Sequence, residues 1–298
     1  MMSDVSIIIV NYNTANLTMN CLRSIYDMVE DVKFEIIVVD NASTDGSQEQ
    51  IKNQFPQIKL IVNTENIGFG RANNVGIRAS DSKYVFLLNS DTTLLNNAVK
   101  IFFDFMEKDT KQEVACCGGQ LHTKDISMQL SFGRFPSIKN VAIHSFVTPY
   151  KILRHLFNVD EVIATTVIGL IVVDYVSGAD MFIRRNVLKE VGLFNEEFFL
   201  YYEETELSYR FNKHGYKSML LPDAKIVHLY GMSTDKENNL DIMNLYGKSE
   251  LLYFEKCHGR ISTYLVKFIY VVSGIINCLF KRDGKYLRHA LLISKLKV

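Results

Sequence analysis

The sequence predicts an α/β fold built on a doubly wound, mostly parallel sheet with helices on both faces. Four segments in the first hundred residues have the length and apolar composition of buried strands, and each precedes a segment with helical spacing. Strands that are apolar throughout are typical of a parallel sheet covered on both sides. The strand segments are VSIIIV, FEIIVVD, IKLIVN and KYVFLLNSD.

The composition indicates a globular protein without a general preference for nucleic acid. The chain has 298 residues, of which 48% are hydrophobic and 22% charged, so it can bury a substantial core. The 33 Lys and Arg residues balance the 33 Asp and Glu residues. Five cysteines without a CxxC pair favour a reduced, cytoplasmic protein. The apolar run at residues 5–10 is expected to be a first strand and not a signal peptide.

The four predicted strands all end in polar residues. The sequences at these ends are NYNT, DNASTDGS, NTENIGFG and NSDT. Turns and helix caps use the same residue types, so each end taken singly has a structural explanation. Ligands of open α/β sheets bind at the carboxyl ends of the strands, and the convergence of four polar ends there favours a binding site.

Two common nucleotide-binding motifs do not match this sequence. A dinucleotide site needs GxGxxG directly after a strand, but Gly68 and Gly70 are followed by a glycine only at Gly76. The first strand is followed by NYNTAN, which contains no glycine, and GxxxxGK[ST] does not occur. The sequence therefore argues against NAD and against a P-loop.

Asp91, at the end of the fourth strand, can hold Mg²⁺ or Mn²⁺ against a diphosphate, because such ions take few protein ligands. His228 follows another predicted strand and could supply a second ligand, although a lone histidine is more often structural. The pair Glu203 and Glu204 comes directly after FFLYY at the start of a predicted helix. A carboxylate that is partly removed from water there can act as a general base.

Together these segments resemble the inverting glycosyltransferases of family 2, which have the GT-A fold. The resemblance is strongest to the rhamnosyltransferase-type enzymes that build bacterial surface polysaccharides. It spans residues 5–233 roughly, and its segments follow the order of the family. They are VSIIIVNYNT, IIVVDNASTDGS, NIGFGRANNVGI, YVFLLNSDT, GRFPS, VSGADMFIRRNVLKEVGLFNEEFFLYYEETELSYR and IVHLYGMS.

The resemblance implies a role for each matching position. Asp91 would bind the metal with His228, and Glu204 or its neighbour Glu203 would be the catalytic base. Asp40 would contact the nucleotide base. The other residues implied at the nucleotide sugar are Tyr12, Asn13, Asn66, Arg71, Asn74, Asn89 and Ser90, and those implied at the acceptor are Gly178, Ala179 and Asp180.

Two positions depart from the pattern of the family. Asn89 replaces the first acid of the DxD-like motif, which leaves Asp91 to carry the charge at the metal. Glu204 stands where the family normally has Asp, and the extra methylene moves the carboxylate. The choice between Glu203 and Glu204 as the base is therefore open at the level of sequence.

The implied activity is metal-dependent transfer of a sugar from a UDP- or dTDP-sugar to a hydroxyl of a glycan or lipid-linked acceptor. The reaction would be a single inverting displacement with Mn²⁺ or Mg²⁺. A sugar nucleotidyltransferase is an alternative, but it normally has a glycine-rich basic loop after the first strand. A non-catalytic module that binds nucleotide sugars is the other alternative, and it would not need Glu204 or His228.

The expected organisation is a GT-A domain at residues 1–238, with a nucleotide-sugar half at 1–118 and an acceptor half at 119–238. Residues 239–298 form a predicted helical appendage. Apolar residues recur with helical spacing between 261 and 279, and residues 281–298 contain six basic residues against one acidic residue. This pattern fits a helix on the anionic inner face of the cell membrane, or one that packs on the core or in a homodimer.

Overall fold

The computed structural model describes residues 3–148, 169–229, 239–282 and 284–296. Within these residues, nine strands form one mixed sheet, two short strands form a second sheet, and the C-terminal region is helical. Helices cover both faces of the large sheet. The predicted fold class is therefore confirmed.

The first part of the chain alternates strands and helices in the predicted order. The one addition is a short strand that directly follows the fourth strand and its polar end. The elements are β1 (Val5–Asn11), α1 (Ala15–Met28), β2 (Phe34–Asp40), α2 (Ser47–Gln54), β3 (Lys59–Val62), α3 (Phe69–Ala79), β4 (Tyr84–Leu88), β5 (Thr92–Leu94) and α4 (Ala98–Lys108).

The second part of the chain completes the sheet and then becomes helical. The segment KSMLLPDAKIVH, predicted as one or two strands, is a single strand with a register shift between Leu221 and Lys225. The elements are β6 (Val114–His122), β7 (Phe132–Gly133), α5 (Ile138–Phe146), β8 (Ile171–Val173), β9 (Tyr175–Val176), β10 (Asp180–Arg184), α6 (Arg185–Val191), α7 (Glu203–Lys213), β11 (Lys217–His228), α8 (Asn239–His258), α9 (Arg260–Lys281) and α10 (Lys285–Lys295).

The sheet order brings several chain segments to one edge. The order is β3-β2-β1-β4-β10-β6-β11-β5, and β8 pairs with β11. Strands β1 to β4 are parallel, so their four carboxyl ends lie together. Strand β10 runs antiparallel to β4 and pairs Asp180 with Leu88, while β11 pairs His228 with Thr92. The start of β10 and the end of β11 therefore reach the same edge as Asp91.

Apolar side chains on both faces of the sheet explain why the strands are apolar throughout. In β1, Ile7 and Ile9 join a cluster with Phe86 and Phe102, whereas Ile8 points to the opposite face. All of these side chains are buried, and each contributes roughly 1.5–3 kcal/mol to stability relative to exposure. The loops at the carboxyl edge therefore begin from well-packed strands.

The described residues divide into two compact units. The first contains the sheet, and the second contains residues 135–148, residues 200–202 and helices α8 to α10. Within the second unit, α9 packs against α5, α8 and α10, and Asn277 donates from Nδ2 to the Ser145 carbonyl over 3.1 Å. Of the helices in the described part of the chain, α9 alone is long and apolar enough to cross a membrane. A core helix can meet the same criterion.

Candidate active site

The carboxylate of Asp91 is buried and has unsatisfied oxygens. Its side chain follows the apolar strand β4 and is 2% exposed. Neither of its carboxylate oxygens accepts a hydrogen bond from the residues that the structure describes. Burying an ionised carboxylate without such partners costs several kcal/mol, so this geometry is expected where a cation binds.

Two other polar groups lie beside Asp91. The His228 Nε2 atom is 3.4 Å from Asp91 Oδ1 and 3.5 Å from Asn89 Nδ2. The Asn89 Oδ1 atom is buried and accepts no hydrogen bond within the described residues. A carboxylate, an imidazole and an amide oxygen are a donor set that fits Mn²⁺ or Mg²⁺. No group of three His, Cys, Asp or Glu side chains is found at any metal-binding geometry in the described ranges. A cation at Asp91 would therefore take further ligands from water or a diphosphate.

Backbone and hydroxyl contacts fix the loop that carries Asp91. Thr92 donates from Oγ1 to the Asn89 carbonyl over 2.7 Å, and the Asn89 amide donates to the Ala179 carbonyl over 2.9 Å. The Ser90 hydroxyl lies 3.0 Å from the Thr14 hydroxyl, which ties this loop to the end of β1. The orientation of Asp91 is therefore set before any ligand binds.

Asp40 is completely buried and already engaged by the protein. Its Oδ2 accepts from Asn11 Nδ2 over 2.5 Å, and its Oδ1 accepts from the Ser43 amide over 2.9 Å and from Gln48 Nε2 over 2.7 Å. Asp40 thus holds the loop after β2 against the end of β1. Asn11, the polar residue that ends β1, is not among the residues predicted at the site from the sequence. The predicted contact of Asp40 with a nucleotide base stays a prediction.

Tyr12 and Asn13 lie on the open side of the same edge. Tyr12 is 40% exposed, so its ring is available to stack on a planar ligand. Asn13 has a φ of 52°, a left-handed conformation that asparagine tolerates. Its Oδ1 accepts from the Thr44 amide over 2.8 Å, which fixes the two loops relative to each other.

The residues predicted on α3 and just before it contact other parts of the protein. Asn66 Oδ1 accepts from Asn41 Nδ2 over 2.8 Å, and Arg71 Nε donates to the Glu196 carbonyl over 2.5 Å. Asn74 both donates to the Phe194 carbonyl, over 2.9 Å, and accepts from the Phe194 amide, over 3.0 Å. These three residues attach α3 to neighbouring loops, and their contacts with the nucleotide sugar stay predictions.

The three glutamates at the start of α7 have three different surroundings. Glu203 is 3% exposed and lies against α3. If Gly70 on α3 carried a Cβ atom, that atom would lie 3.6 Å from the Cβ atom of Glu203. Glu206 forms a two-point ion pair with Arg210, at 2.8 and 2.9 Å. Glu204 is half-buried and lies beside the turn before β10. If Gly178 in that turn carried a Cβ atom, that atom would lie 3.6–3.7 Å from the side-chain carbons of Glu204.

The position of Glu204 links it to the Asp91 loop. Its neighbour Gly178 directly precedes Ala179, whose carbonyl accepts the hydrogen bond of the Asn89 amide. Burial raises the pKa of Glu204 above its ordinary value of 4.5. Burial and the charge of Glu204 also raise the pKa of Glu203. Of the two candidates for the base, Glu204 is the one beside the turn at the carboxyl edge.

Comparison with known proteins identifies the family. The sequence model of the family described as "Glycosyl transferase family 2" matches residues 6–137. These residues belong to glycosyl transferase family 2. The match runs from the second residue of β1 through β7 and contains the complete Asp91 loop. The predicted family resemblance and the predicted enzyme class, a glycosyltransferase, are confirmed by this match together with the named relatives described next.

Two relatives extend the similarity beyond the matched segment. A Mycobacterium tuberculosis protein named N-acetylglucosaminyl-diphospho-decaprenol L-rhamnosyltransferase is 24% identical over 213 residues, which are 68% of this chain and 68% of the relative. A Haloferax volcanii protein named low-salt glycan biosynthesis hexosyltransferase is 25% identical over 301 residues, which are 98% of this glycosyltransferase and 90% of the relative.

Two solved structures have the same fold as this glycosyltransferase. The mannosyltransferase PcManGT of Pyrobaculum calidifontis, in complex with GDP-Man and Mn²⁺, has a TM-score of 0.57 at 16% identity and covers 100% of this chain and 77% of its own. GalNAc-T7, with UDP, GalNAc and Mn²⁺, has a TM-score of 0.64 at 14% identity and covers 99% of this chain and 56% of its own. At these identities the likeness shows the fold.

Asp180, predicted at the acceptor, points into the sheet of the glycosyltransferase. It is completely buried, and its Oδ2 accepts from the Gly119 amide over 2.6 Å. Burial raises the pKa of Asp180 well above its ordinary value. Gly178 and Ala179 form the turn beside Glu204 and Asn89, so these two residues, rather than the Asp180 side chain, lie where the predicted acceptor turn meets the site.

The residues directly before α7 are strained. Tyr201 has a φ of 72° and Tyr202 a φ of 68°, and bulky side chains rarely occupy this left-handed region. Each such residue costs of order 1–3 kcal/mol and persists only where surrounding contacts hold it. The aromatic run is evident in the sequence, but nothing in the local pattern predicts its left-handed backbone.

Proposed function

We propose that this glycosyltransferase moves a sugar from a UDP- or dTDP-sugar to a hydroxyl of a glycan or lipid-linked acceptor, with inversion at the anomeric carbon. The observation that carries the proposal is the buried Asp91 carboxylate, whose two oxygens lack hydrogen bonds from the described residues at the carboxyl edge of the sheet. Both solved relatives described above contain Mn²⁺ with a nucleotide or a nucleotide sugar. Asp91, His228 and Asn89 would hold the same kind of ion here.

In the proposed mechanism, the metal ligands act on the leaving diphosphate and Glu204 acts on the acceptor hydroxyl. The bound divalent ion supplies positive charge for the leaving diphosphate. Glu204 accepts the proton of the acceptor hydroxyl, and the oxygen attacks the anomeric carbon as the bond from that carbon to the diphosphate oxygen breaks. The products are the glycoside, the nucleoside diphosphate and protonated Glu204, which returns its proton to solvent. A raised pKa suits Glu204 to this role, because a base works best near the operating pH.

The acceptor class is proposed from the relatives and from the C-terminal helices together. The printed name of the Mycobacterium tuberculosis relative describes transfer of rhamnose to a sugar on a decaprenol diphosphate, which is a lipid carrier. A related acceptor would place this enzyme at the cytoplasmic face of the cell membrane, in the synthesis of surface polysaccharides.

The donor and the reaction can be tested with the purified enzyme. We expect UDP- or dTDP-sugars together with Mn²⁺ to raise the melting temperature, and we expect slow donor hydrolysis that EDTA abolishes. Release of diphosphate from a nucleoside triphosphate and a sugar phosphate would identify a nucleotidyltransferase instead. Donor binding without hydrolysis or transfer to any lipid-linked or glycan acceptor would favour a binding module.

Helix α9 presents its large apolar side chains outward, which supports the membrane part of the proposal. Its buried face carries small or polar residues, including Ser273, Gly274 and Asn277. Phe268 is 66% exposed and Leu279 is 72% exposed. Exposed apolar surface of this kind marks an interaction site. The other large exposed apolar residues of α9 are Ile261, Tyr264, Leu265, Ile275 and Phe280.

Exposed cations at the end of α9 and on α10 favour an anionic bilayer as the partner of this face. Lys281, Arg282, Arg288 and Lys295 are all exposed within the described residues. Each lysine or arginine near an anionic surface contributes about 1 kcal/mol to binding. We propose that α9 lies in the membrane interface with its apolar face buried among the lipids.

We expect the full-length enzyme to float with liposomes that contain anionic lipid, and to do so less at high salt. Phe268→Glu with Leu279→Glu should abolish flotation without unfolding the protein, because both side chains are already exposed. Met128→Glu is the matched control, since Met128 is 45% exposed on the sheet-containing unit. If the double variant floats like the wild type, the face is not the membrane contact. If the wild type is a dimer without lipid and the double variant a monomer, the face is a subunit interface.

A further inference from the structure

Asn11, at the end of β1, connects the loops that follow β1 and β2 through its side-chain amide. Its Nδ2 atom donates to Asp40 Oδ2 over 2.5 Å and to the Ser47 hydroxyl over 2.8 Å. Its Oδ1 atom accepts from the Thr14 hydroxyl over 2.8 Å and from the Thr18 hydroxyl over 2.7 Å. All five residues are buried. A side chain between a carboxylate and two hydroxyl donors must donate on one side and accept on the other, which an amide does.

The directions of these hydrogen bonds extend the connection to the Asp91 loop. The hydroxyl proton of Thr14 is donated to Asn11, so the Thr14 oxygen must be the acceptor in its 3.0 Å contact with the Ser90 hydroxyl. Ser90 therefore donates to Thr14, which donates to Asn11. Asn11 in turn donates to Asp40 and completes a chain of three hydrogen bonds, the Ser90–Asp40 chain. Hydrogen bonds that follow one another in this way polarise and strengthen each other.

Thr14 occupies the N-cap position of α1, but its side chain does not cap the helix. A threonine at this position ordinarily accepts a hydrogen bond from an amide of the first helical turn. The Thr14 hydroxyl makes no such bond with any described residue. The Ala15 amide donates instead to Asp45 Oδ2 over 2.8 Å. The Thr14 hydroxyl is therefore used for the Ser90–Asp40 chain, and a local role at the helix end does not explain it.

Ser90 directly precedes Asp91, so the Ser90–Asp40 chain acts on the backbone that aims the Asp91 carboxylate. That carboxylate accepts no hydrogen bond from the described residues, and its direction therefore depends on the backbone of its neighbours. On the other side of Asp91, Thr92 donates from Oγ1 to the Asn89 carbonyl over 2.7 Å. The Ser90 hydroxyl is the group that ties this short loop to the end of β1.

We propose that Asn11 and Thr14 are positioning residues, which act through Ser90 to hold the backbone of Asp91 in the direction that binds the divalent ion. The inference rests on the proposed role of Asp91 as the metal ligand. It also gives Asp40 a part in the metal site, because Asp40 accepts the last hydrogen bond of the chain. Every residue of the chain lies in the sheet-containing unit. Partners that orient a metal ligand commonly affect metal affinity nearly as strongly as the ligands themselves.

Thr14→Val interrupts the chain at its centre, because valine has the shape of threonine without the hydroxyl. We expect it to weaken Mn²⁺ binding about tenfold, with kcat at saturating Mn²⁺ within about twofold of the wild type. The paramagnetic resonance signal of free Mn²⁺ measures this affinity without any substrate. Thr14→Ser keeps the hydroxyl and should restore the affinity. Ser80→Ala is the matched control, since it removes a buried hydroxyl that bonds the Ile77 carbonyl over 2.7 Å. It may lower the melting temperature as Thr14→Val does, but it should leave Mn²⁺ binding unchanged.

Hydrogen exchange in the metal-free protein supplies a second readout. The amides of Asn89 and Thr92, which donate to the Ala179 and Asn89 carbonyls, should exchange faster in Thr14→Val and Ser90→Ala than in the wild type or Ser80→Ala. Unchanged Mn²⁺ affinity in both Thr14→Val and Ser90→Ala overturns the proposal, and so does unchanged exchange at these amides. If the wild type and Asp91→Asn bind Mn²⁺ equally, the proposed metal site is wrong, and the exchange rates alone then decide whether the chain holds this loop.

Discussion

Asp91→Asn is expected to lower kcat/KM for metal-dependent transfer by about 10²–10³ while leaving the protein folded. The substitution keeps the size of the side chain and removes the charge that would hold the ion. The Asp91 carboxylate accepts no hydrogen bond from the described residues, so the amide breaks no hydrogen bond that the fold makes there. Steady-state kinetics with Mn²⁺, together with the melting temperature with and without Mn²⁺, measure both effects. The stabilisation by Mn²⁺ should be present in the wild type and absent from the variant.

The matched variant is Asp40→Asn, which changes the same chemical group at the same edge of the sheet. Asp40 accepts hydrogen bonds from Asn11, Ser43 and Gln48, so an amide in its place leaves a buried donor without a partner. We expect it to lower the free energy of unfolding by about 1–3 kcal/mol, whereas Asp91→Asn should not. If Asp91→Asn retains activity and the melting shift with Mn²⁺, Asp91 is not the metal ligand.

The contrast between these two aspartates also shows where the sequence stops being informative. The apolar pattern of Tyr84–Leu88 and the polar residues after it sufficed to predict the strand and to place Asp91 at its carboxyl end. The pattern at Phe34–Asp40 is equally clear, yet the Asp40 carboxylate is already hydrogen-bonded to other residues of the protein. Both residues end a buried strand, and only the folded structure shows that the Asp40 carboxylate accepts hydrogen bonds from the protein while the Asp91 carboxylate accepts none from the described residues.

Long-range partners explain the other differences. Asn74 and Arg71 lie on α3 in a segment typical of the family, but their hydrogen bonds go to Phe194 and Glu196, more than a hundred positions away. The left-handed backbone at Tyr201 depends on aromatic contacts with α8, which no local pattern predicts. The antiparallel direction of β10 is set by its pairing with β4 and β6, and its composition is that of any buried strand.

The surroundings of the two adjacent glutamates are likewise set by contacts that the local sequence does not predict. Successive positions of a helix point about 100° apart, so the sequence could place both at the start of α7 without saying which faces the acceptor. In the structure Glu203 lies against Gly70 on α3, and Glu204 lies beside Gly178. This difference of surroundings leads to opposite expectations for the two amide variants.

Glu204→Gln is expected to lower kcat for transfer by about 10²–10⁴, the usual contribution of a general base, while donor binding stays within about twofold of the wild type. The wild-type rate should fall as the pH decreases through the raised pKa of Glu204, because the base works only when deprotonated. That acid limb should therefore lie above the ordinary value of 4.5 and be absent from the variant. Pre-steady-state transfer rates across pH, with calorimetry for donor binding, measure these quantities.

Glu203→Gln is the matched control, since it changes the neighbouring residue to the same amide. It should retain most of the activity, because Glu203 packs against α3 rather than the acceptor turn. Burial raises the pKa of Glu203 in the folded state, so its contribution to stability is present below its ordinary pKa and is lost as the pH rises through the raised value. The melting temperature of Glu203→Gln should consequently fall less than that of the wild type as the pH rises. Loss of transfer in Glu203→Gln, with activity retained in Glu204→Gln, would exchange the roles of the two residues.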